Sequence, residues 1–337
     1  MAVAVAAVVA VAGAAGEEPA RAPGARRADL GDCAACHPAE WQEWAGSRHA
    51  AAWTDPVFQA EFAHGRPAWC VGCHAPLAAD PTAPDRASAD QGVGCAGCHR
   101  RQGRLVSARR SERSPHDTAV DPGFGAPDFC ARCHEFNFPV LGERGRLLRY
   151  TDEPMQATVS QWRASRISRE VGCTDCHGVS PAGHAFRGSH DPDLVASAVA
   201  VDLCRAGGAI EVALANRGAG HNVPSGGVHR RIVLRAWASR APERLAERTF
   251  GRRFRPLPGG GKQTLSDTTL APGEVRRHRF ALAALGADPL VNLELRYIYA
   301  LDERADLPPG TDVSRVFWSR RIDPAALAPC RSARVGQ

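Results

Sequence analysis

The segment Cys33-Ala34-Ala35-Cys36-His37 is the first of five copies of one pattern, Cys-x-x-Cys-His. In every copy two cysteines are three positions apart and a histidine follows directly. Ten of the twelve cysteines belong to the pattern. The other four copies consist of Cys70, Cys73 and His74; Cys95, Cys98 and His99; Cys130, Cys133 and His134; and Cys173, Cys176 and His177.

The spacing of these residues is the attachment pattern of c-type haem. Two thiols on one turn can form thioethers with the two haem vinyl groups, and the histidine is then held under the iron. Zinc sites and redox dithiols are the alternatives. A zinc module groups its ligands in fours, and a thioredoxin-like dithiol occurs once, within a βαβ unit. We therefore predict five covalent c-type haems with these five histidines as proximal iron ligands.

The composition favours an interior built by such groups. Aromatic residues make up only 6% of the 337 residues, whereas there are 33 glycines and 25 prolines. So many turn formers disfavour long regular elements. The net charge of +6 is mild, and no long basic run favours nucleic-acid binding. No dinucleotide, P-loop or serine-hydrolase signature is present either.

The chain divides into three parts. Residues 1–16 are short, apolar and rich in alanine, which is typical of a secretory signal peptide. Basic residues after Met1 are missing, so the signal is atypical or the true start lies upstream. Residues 30–195 are predicted to form a pentahaem cytochrome c domain, mostly α and irregular and packed around haem. Residues 205–330 alternate apolar and polar positions, which predicts a β-sandwich-like domain.

Two cysteines, Cys204 and Cys330, lie outside the five motifs and bracket the β segment. In an oxidising compartment such a pair favours a disulfide, and two separate thiols are the alternative. No later segment is apolar enough for a membrane helix, so no integral membrane span is expected.

The sixth ligand of each iron decides whether it is closed or open to substrates. Methionine is nearly absent, with Met1 and Met155 only, so histidine is the expected sixth ligand. Eight histidines lie outside the motifs. Five are predicted to bind iron, and His64 is a less favoured candidate ligand. His229 and His278 are expected to be solvated. The five predicted ligands are His49, His116, His184, His190 and His221.

The position of His221 suggests a particular role. It lies in a loop with Gly218, Gly220 and Pro224, after the first predicted β-strand. Loops on a rigid sheet project side chains towards other parts of a protein. His221 is therefore expected to bind a haem held by the N-terminal domain and to join the two domains.

Several linking segments resemble the bacterial multihaem cytochromes related to the tetrahaem electron carrier of ammonia oxidisers. The similar segments cover roughly residues 30–235. The resemblance implies that His49, His184 and His221 are distal ligands of a periplasmic or outer-surface electron carrier. Five motifs instead of four, and the C-terminal β segment, are departures. The segments are Trp44 to Ala50, Phe129 to Phe136, Met155 to Ser165, His184 to His190 and the loop of His221.

Two functions follow from these predictions. The first is electron transfer between redox partner proteins through five mainly bis-histidine haems, and it needs no substrate pocket. The second is reduction or oxidation of a small nitrogen or sulfur compound at one open haem. Covalent haem attachment takes place after export, so the periplasm or the outer cell surface is expected. The sequence leaves the oligomeric state open.

Overall fold

The computed structural model describes residues 30–109, 116–286, 288–300 and 306–330. The predicted signal peptide lies outside these residues. Eleven short helices occur in the described part. They are α1 Leu30–Cys36, α2 Pro38–Ala45, α3 Pro56–Ala63, α4 Ala68–His74, α5 Arg86–Ala89, α6 Cys95–His99, α7 Pro127–His134, α8 Thr158–Ala164, α9 Cys173–His177, α10 Pro192–Ala198 and α11 Leu282–Leu285.

The described residues also form thirteen strands. They are β1 Arg100–Arg101, β2 Arg104–Ser107, β3 Thr118–Val120, β4 Glu135–Leu141, β5 Leu147–Ala157, β6 Val199–Ala206, β7 Ala209–Asn216, β8 Arg231–Ala238, β9 Ala241–Pro256, β10 Lys262–Asp267, β11 Val275–Ala281, β12 Val291–Ile298 and β13 Ser314–Ile322.

The N-terminal part contains more β-structure than the sequence analysis predicted. Strands β1, β2 and β3 form a small sheet, and β4 pairs with β5 in an antiparallel hairpin. The signal for β4 is visible in the sequence, because Phe136, Phe138 and Val140 alternate with other residues and so share one face. Phe138 and Val140 are buried on that face.

The C-terminal part consists of two sheets, as the alternating pattern predicted. One sheet has the order β10-β9-β8-β12-β13 and the other the order β11-β7-β6. The first strand begins at Val199, six positions before the predicted start at residue 205. Ile210, Leu214, Leu234 and Leu295 are fully buried, and residues of both sheets belong to one apolar cluster. The two sheets therefore pack on a shared core.

The predicted disulfide between Cys204 and Cys330 is present. Beside it the backbone of Cys330 donates to the carbonyl of Arg205, and Arg205 donates to Ala328. The end of the described chain thus lies along β6. No helix in the described part of the chain is long and apolar enough to span a membrane.

Candidate haem-binding site

Each of the five motifs occupies a short helix. The second, third, fourth and fifth motif histidines are the last residues of α4, α6, α7 and α9. The first motif lies on α1, and the backbone of His37 donates to the carbonyl of Cys33 at 2.8 Å, which continues the helical pattern. In a helix, positions three apart lie on the same face. The two thiols of every motif can therefore reach one planar group.

Four motif histidines face a second histidine across a nearly constant gap. The separations of the ring centroids are 6.3 Å for His37 and His116, 6.3 Å for His134 and His49, 6.1 Å for His99 and His184, and 6.2 Å for His177 and His221.

This spacing is what one metal ion between two imidazoles requires. A bond from a metal to an imidazole nitrogen is about 2.0 Å long and that nitrogen lies about 1.1 Å from the ring centre, so two rings on opposite sides of an ion are about 6.2 Å apart. Direct stacking would bring the rings much closer, as for Phe58 and His74 at 3.7 Å. The residues in these four pairs fit an iron with two axial histidines.

Hydrogen bonds orient most of these rings. Nδ1 lies close to a backbone carbonyl in His74 (Ala52, 2.7 Å), His99 (Val106, 3.0 Å), His177 (Arg187, 2.5 Å), His184 (Ala182, 2.6 Å) and His221 (Asn222, 2.9 Å). A neutral imidazole donates its Nδ1–H to such a carbonyl. This leaves the lone pair of Nε2 for a metal and fixes the direction of the ring.

Burial favours the neutral, ligating form of several of these rings. It is the largest cause of the lowered pKa of His74, His99 and His221. Burial, reinforced by His134 and His177 nearby, lowers the pKa of His49 to about 4. Because a protonated imidazole cannot bind a metal, these environments keep the ligands available at neutral pH.

The segment of His49 is clamped by residues 92 and 93. The backbone of Val93 donates to the carbonyl of His49 at 2.9 Å, and the indole of Trp44 donates to the carbonyl of Val93. Gly92 has φ +53°, and a Cβ there would come within 2.5 Å of the carbonyl oxygens of His49 and Ala50. Only glycine fits this contact.

The loop of His184 is held by one carboxylate, that of Glu43 on α2. Glu43 accepts hydrogen bonds from the hydroxyl of Ser180 at 2.7 Å and from the backbone N–H groups of Ala182 and His184, both at 2.9 Å. The bonds from Ala182 and His184 are the main causes of its lowered pKa. Glu43 is a residue that the sequence analysis missed.

The loop of His221 is anchored to both parts of the molecule. The amide of the fully buried Asn216 donates to the carbonyl of His221 at 2.9 Å. From the haem-motif part, Gln161 accepts a hydrogen bond from the backbone of Asn222. A Cβ at Gly220 would lie 2.8 Å from the ring of Trp162. His221 thus belongs to the β sheets but faces His177.

His74 stands apart from the other motif histidines. Its ring stacks on Phe58, and no histidine faces it across the gap seen for the other four, although all thirteen histidines lie in the described part of the chain. The structure therefore brings a second histidine to four of the five motifs, whereas the sequence analysis expected five.

The remaining histidines are placed elsewhere. His190, a predicted ligand, stacks on Tyr299 at 3.7 Å and faces no motif histidine within the described chain. His64, the less favoured candidate ligand, is exposed and lies 3.6 Å from Asp306. His229 lies 3.3 Å from Glu61, and His278 lies on β11 beside Phe280.

Contacts between thiols of different motifs show which motifs are neighbours. The thiols of Cys33 and Cys95, of Cys73 and Cys133, and of Cys130 and Cys173 lie side by side. The third and fourth motifs are connected by aromatic rings, since Phe124 contacts both His99 at 4.7 Å and Phe129 at 5.0 Å. The fourth motif therefore lies centrally, with the second, third and fifth motifs around it and the first motif beyond the third.

Buried nitrogen donors near the histidines fit the anionic edge of a haem. Arg101 Nε, Arg230 Nη1 and His190 Nε2 are buried and have no hydrogen-bond partner in the described part of the chain. Arg48 and His190 also line a cavity of about 720 Å³ with Phe186, whose ring lies 4.7 Å from His49. Carboxylates such as haem propionates would satisfy the arginine donors. The residues present thus fit a haem.

Comparison with known proteins agrees with this geometry. A family model described as cytochrome c554 and c-prime matches residues 32–100, which include the first three motifs. The crystal structure of a penta-heme cytochrome c552 from Thermochromatium tepidum is 19% identical in sequence with a TM-score of 0.68, and the alignment covers 88% of this chain and 99% of that chain.

The chain has the fold of a multihaem c-type cytochrome. The structural match extends beyond the motif helices, because 88% of the chain includes much of the two C-terminal sheets. No curated protein matches the chain.

Proposed function

We propose that this protein is an exported electron carrier with five covalent c-type haems, four closed by two histidines and one open at His74. The observation that carries the proposal is the set of four histidine pairs at 6.1–6.3 Å. Haem iron changes reversibly between ferric and ferrous states, and two strong-field imidazoles leave no position for a substrate. The ten motif cysteines hold the haems, and redox proteins are the expected partners.

The arrangement of the motifs supports transfer between the sites. Because thiols of neighbouring motifs lie side by side, the haems attached to those motifs would also be neighbours. The first motif is next to the third, and the third is next to the fourth. The fourth motif is also next to both the second and the fifth. A carrier of this kind has three ends at which electrons can enter or leave.

A second candidate is reduction or oxidation of a small nitrogen or sulfur compound. The observation in its favour is His74, which has no facing histidine within the described chain. An iron held there would have a free position, which substrate chemistry requires. In this case the four closed sites would deliver electrons to, or remove them from, the site at His74.

Carbon monoxide tests the ligation. We expect the mass of the mature protein to include five haems, and the reduced protein to bind one equivalent of carbon monoxide. A C70S/C73S variant, which cannot attach the haem of the second motif, is expected to bind none. Binding of no carbon monoxide, or of two equivalents or more, would contradict the assignment of four pairs.

Turnover separates the two functions. The carrier is expected to be oxidised and reduced by redox proteins without consuming nitrite or hydroxylamine. Steady consumption of either compound, abolished when cyanide occupies the open iron, would establish the second candidate instead.

A further inference from the structure

The turn between β4 and β5 exposes apolar and cationic side chains together. Leu147, Leu148 and Tyr150 are 39%, 65% and 44% exposed. Three arginines accompany them, and all three are exposed. We name this set the hairpin surface; its residues are Arg144, Arg146, Leu147, Leu148, Arg149 and Tyr150.

Nothing within the described part of the molecule neutralises these charges. Arg144, Arg146 and Arg149 form no ion pair there, whereas arginines elsewhere pair widely, for example Arg235 with Glu247 at 2.6 Å. Glu143 is the one acidic residue in the turn from 142 to 150. Exposed apolar side chains among free arginines and a tyrosine are typical of protein interfaces.

The hairpin surface is attached directly to the second motif. A Cβ at Gly145 would lie 2.2 Å from Cα of Pro67, the residue before α4, so the turn packs closely on this helix. The indole N–H of Trp69 donates to the hydroxyl of Tyr150 at 2.9 Å. Trp69 precedes Cys70, a cysteine of the second motif, so a short path leads from the surface to that motif.

The second motif is also an end of the order of motifs, since its Cys73 lies beside Cys133 and Arg132 of the fourth motif. We propose that the hairpin surface is the docking site of an acidic redox protein, which exchanges one electron with the haem of the second motif. This proposal rests on the proposed electron-transfer function. In the direction tested below, the partner loses one electron, the chain gains it, and no covalent bond changes.

Charge reversal on the hairpin surface tests the proposal. The test variant is R144E/R146E/R149E, and the control is R244E/R248E/R320E, which reverses three exposed arginines on β9 and β13. Both variants change the net charge equally. Arg248 is eight positions before the end of β9. About 26 Å of strand therefore separates it from the turn between β9 and β10. The probe is reduced plant-type [2Fe–2S] ferredoxin, an acidic protein with a potential of about −400 mV.

Stopped-flow reduction of each holoprotein is measured at low and high salt. We expect the wild-type rate constant to fall as salt increases. The hairpin variant is expected to be at least about tenfold slower than the control at low salt, and the difference should vanish at high salt. Equal rates for the two variants, or no electron transfer from ferredoxin to the wild type, would overturn the docking proposal.

Two further measurements separate the possible failures. Dithionite should reduce all haems in every variant with unchanged spectra; if it does not, the electron-transfer function itself fails. Vesicles containing anionic phosphatidylglycerol provide the other comparison. If the hairpin variant loses vesicle binding while its ferredoxin rate matches that of the control, the surface serves a membrane and the proposal is wrong.

Discussion

The haem-motif part and the β part of this chain obtain their interiors in different ways. In the β part, twenty buried residues form one cluster that includes both sheets. In the haem-motif part, the second cluster has only four buried residues: Phe62, Val71, Ala75 and Ala89. Packed side chains thus suffice to hold the sheets together. The short motif helices depend instead on the haems proposed to be attached to them.

Buried polar groups occur in both parts. In the haem-motif part, Arg101 Nε and His190 Nε2 are buried without a hydrogen-bond partner among the described residues. In the sheets, Glu211 is buried but pairs with Arg277 and Arg279. Because the β part has a large side-chain core of its own, the two parts should respond differently to the loss of haem.

Removal of the central motif should have the largest effect. We expect C130S/C133S to prevent attachment at the fourth motif and to abolish ordered structure from α1 to α9. Hydrogen exchange should still show protected β7, β8 and β12. The control C33S/C36S removes the exposed first motif and should disturb only its neighbourhood. Equal loss of protection in the sheets would show that the two parts do not differ as stated.

His221 connects the two parts, so its loss tests whether they are joined through iron. His221→Ala should open the iron at His177 and produce a second equivalent of bound carbon monoxide. Hydrogen exchange should also increase in α8, which contacts the loop of His221. His278→Ala, a change on β11, should leave carbon monoxide binding and α8 unchanged. An unaltered haem spectrum in His221→Ala would refute the assignment.

The disulfide lies in the β part, so its removal should leave the haems unaffected. C204S/C330S is expected to lower the free energy of unfolding of the sheets by about 2–4 kcal/mol, because the open chain has more unfolded conformations. Denaturation followed by hydrogen exchange in β6 and β7 measures the change. The absorbance of the haems should remain that of the wild type, and a shifted haem spectrum would contradict this separation.

Glu43→Gln should give the smallest effect. The carboxylate accepts three hydrogen bonds around the loop of His184, and a neutral amide with one oxygen cannot replace all of them. A minor fraction of high-spin iron at the third motif is expected, visible by electron paramagnetic resonance. Gln42→Ala, its exposed neighbour on α2, should show none. A spectrum free of high-spin signal at that motif would show that other contacts hold His184.

The sequence gives a signal for some loop contacts and none for others. His221 was predicted as a ligand because glycines and a proline around it favour a projecting loop. Glu43 could not be identified, because its partners Ser180, Ala182 and His184 are 137 to 141 positions away in the chain. His190 was expected on an iron since it follows the fifth motif closely, but it stacks on Tyr299 of the loop after β12.

The sequence by itself determined the features that depend on neighbouring residues. Thioether chemistry needs two cysteines and a histidine on one turn, and a half-buried strand needs an alternation of apolar residues, so the motifs and strands such as β7 and β12 can be recognised locally. The pairing of distant histidines was decided by the tertiary structure alone. Whether His184 or His190 reaches an iron depends on how loops pack against remote helices, and no local pattern encodes that contact. For the same reason only the folded chain leaves His74 facing no histidine among the residues described.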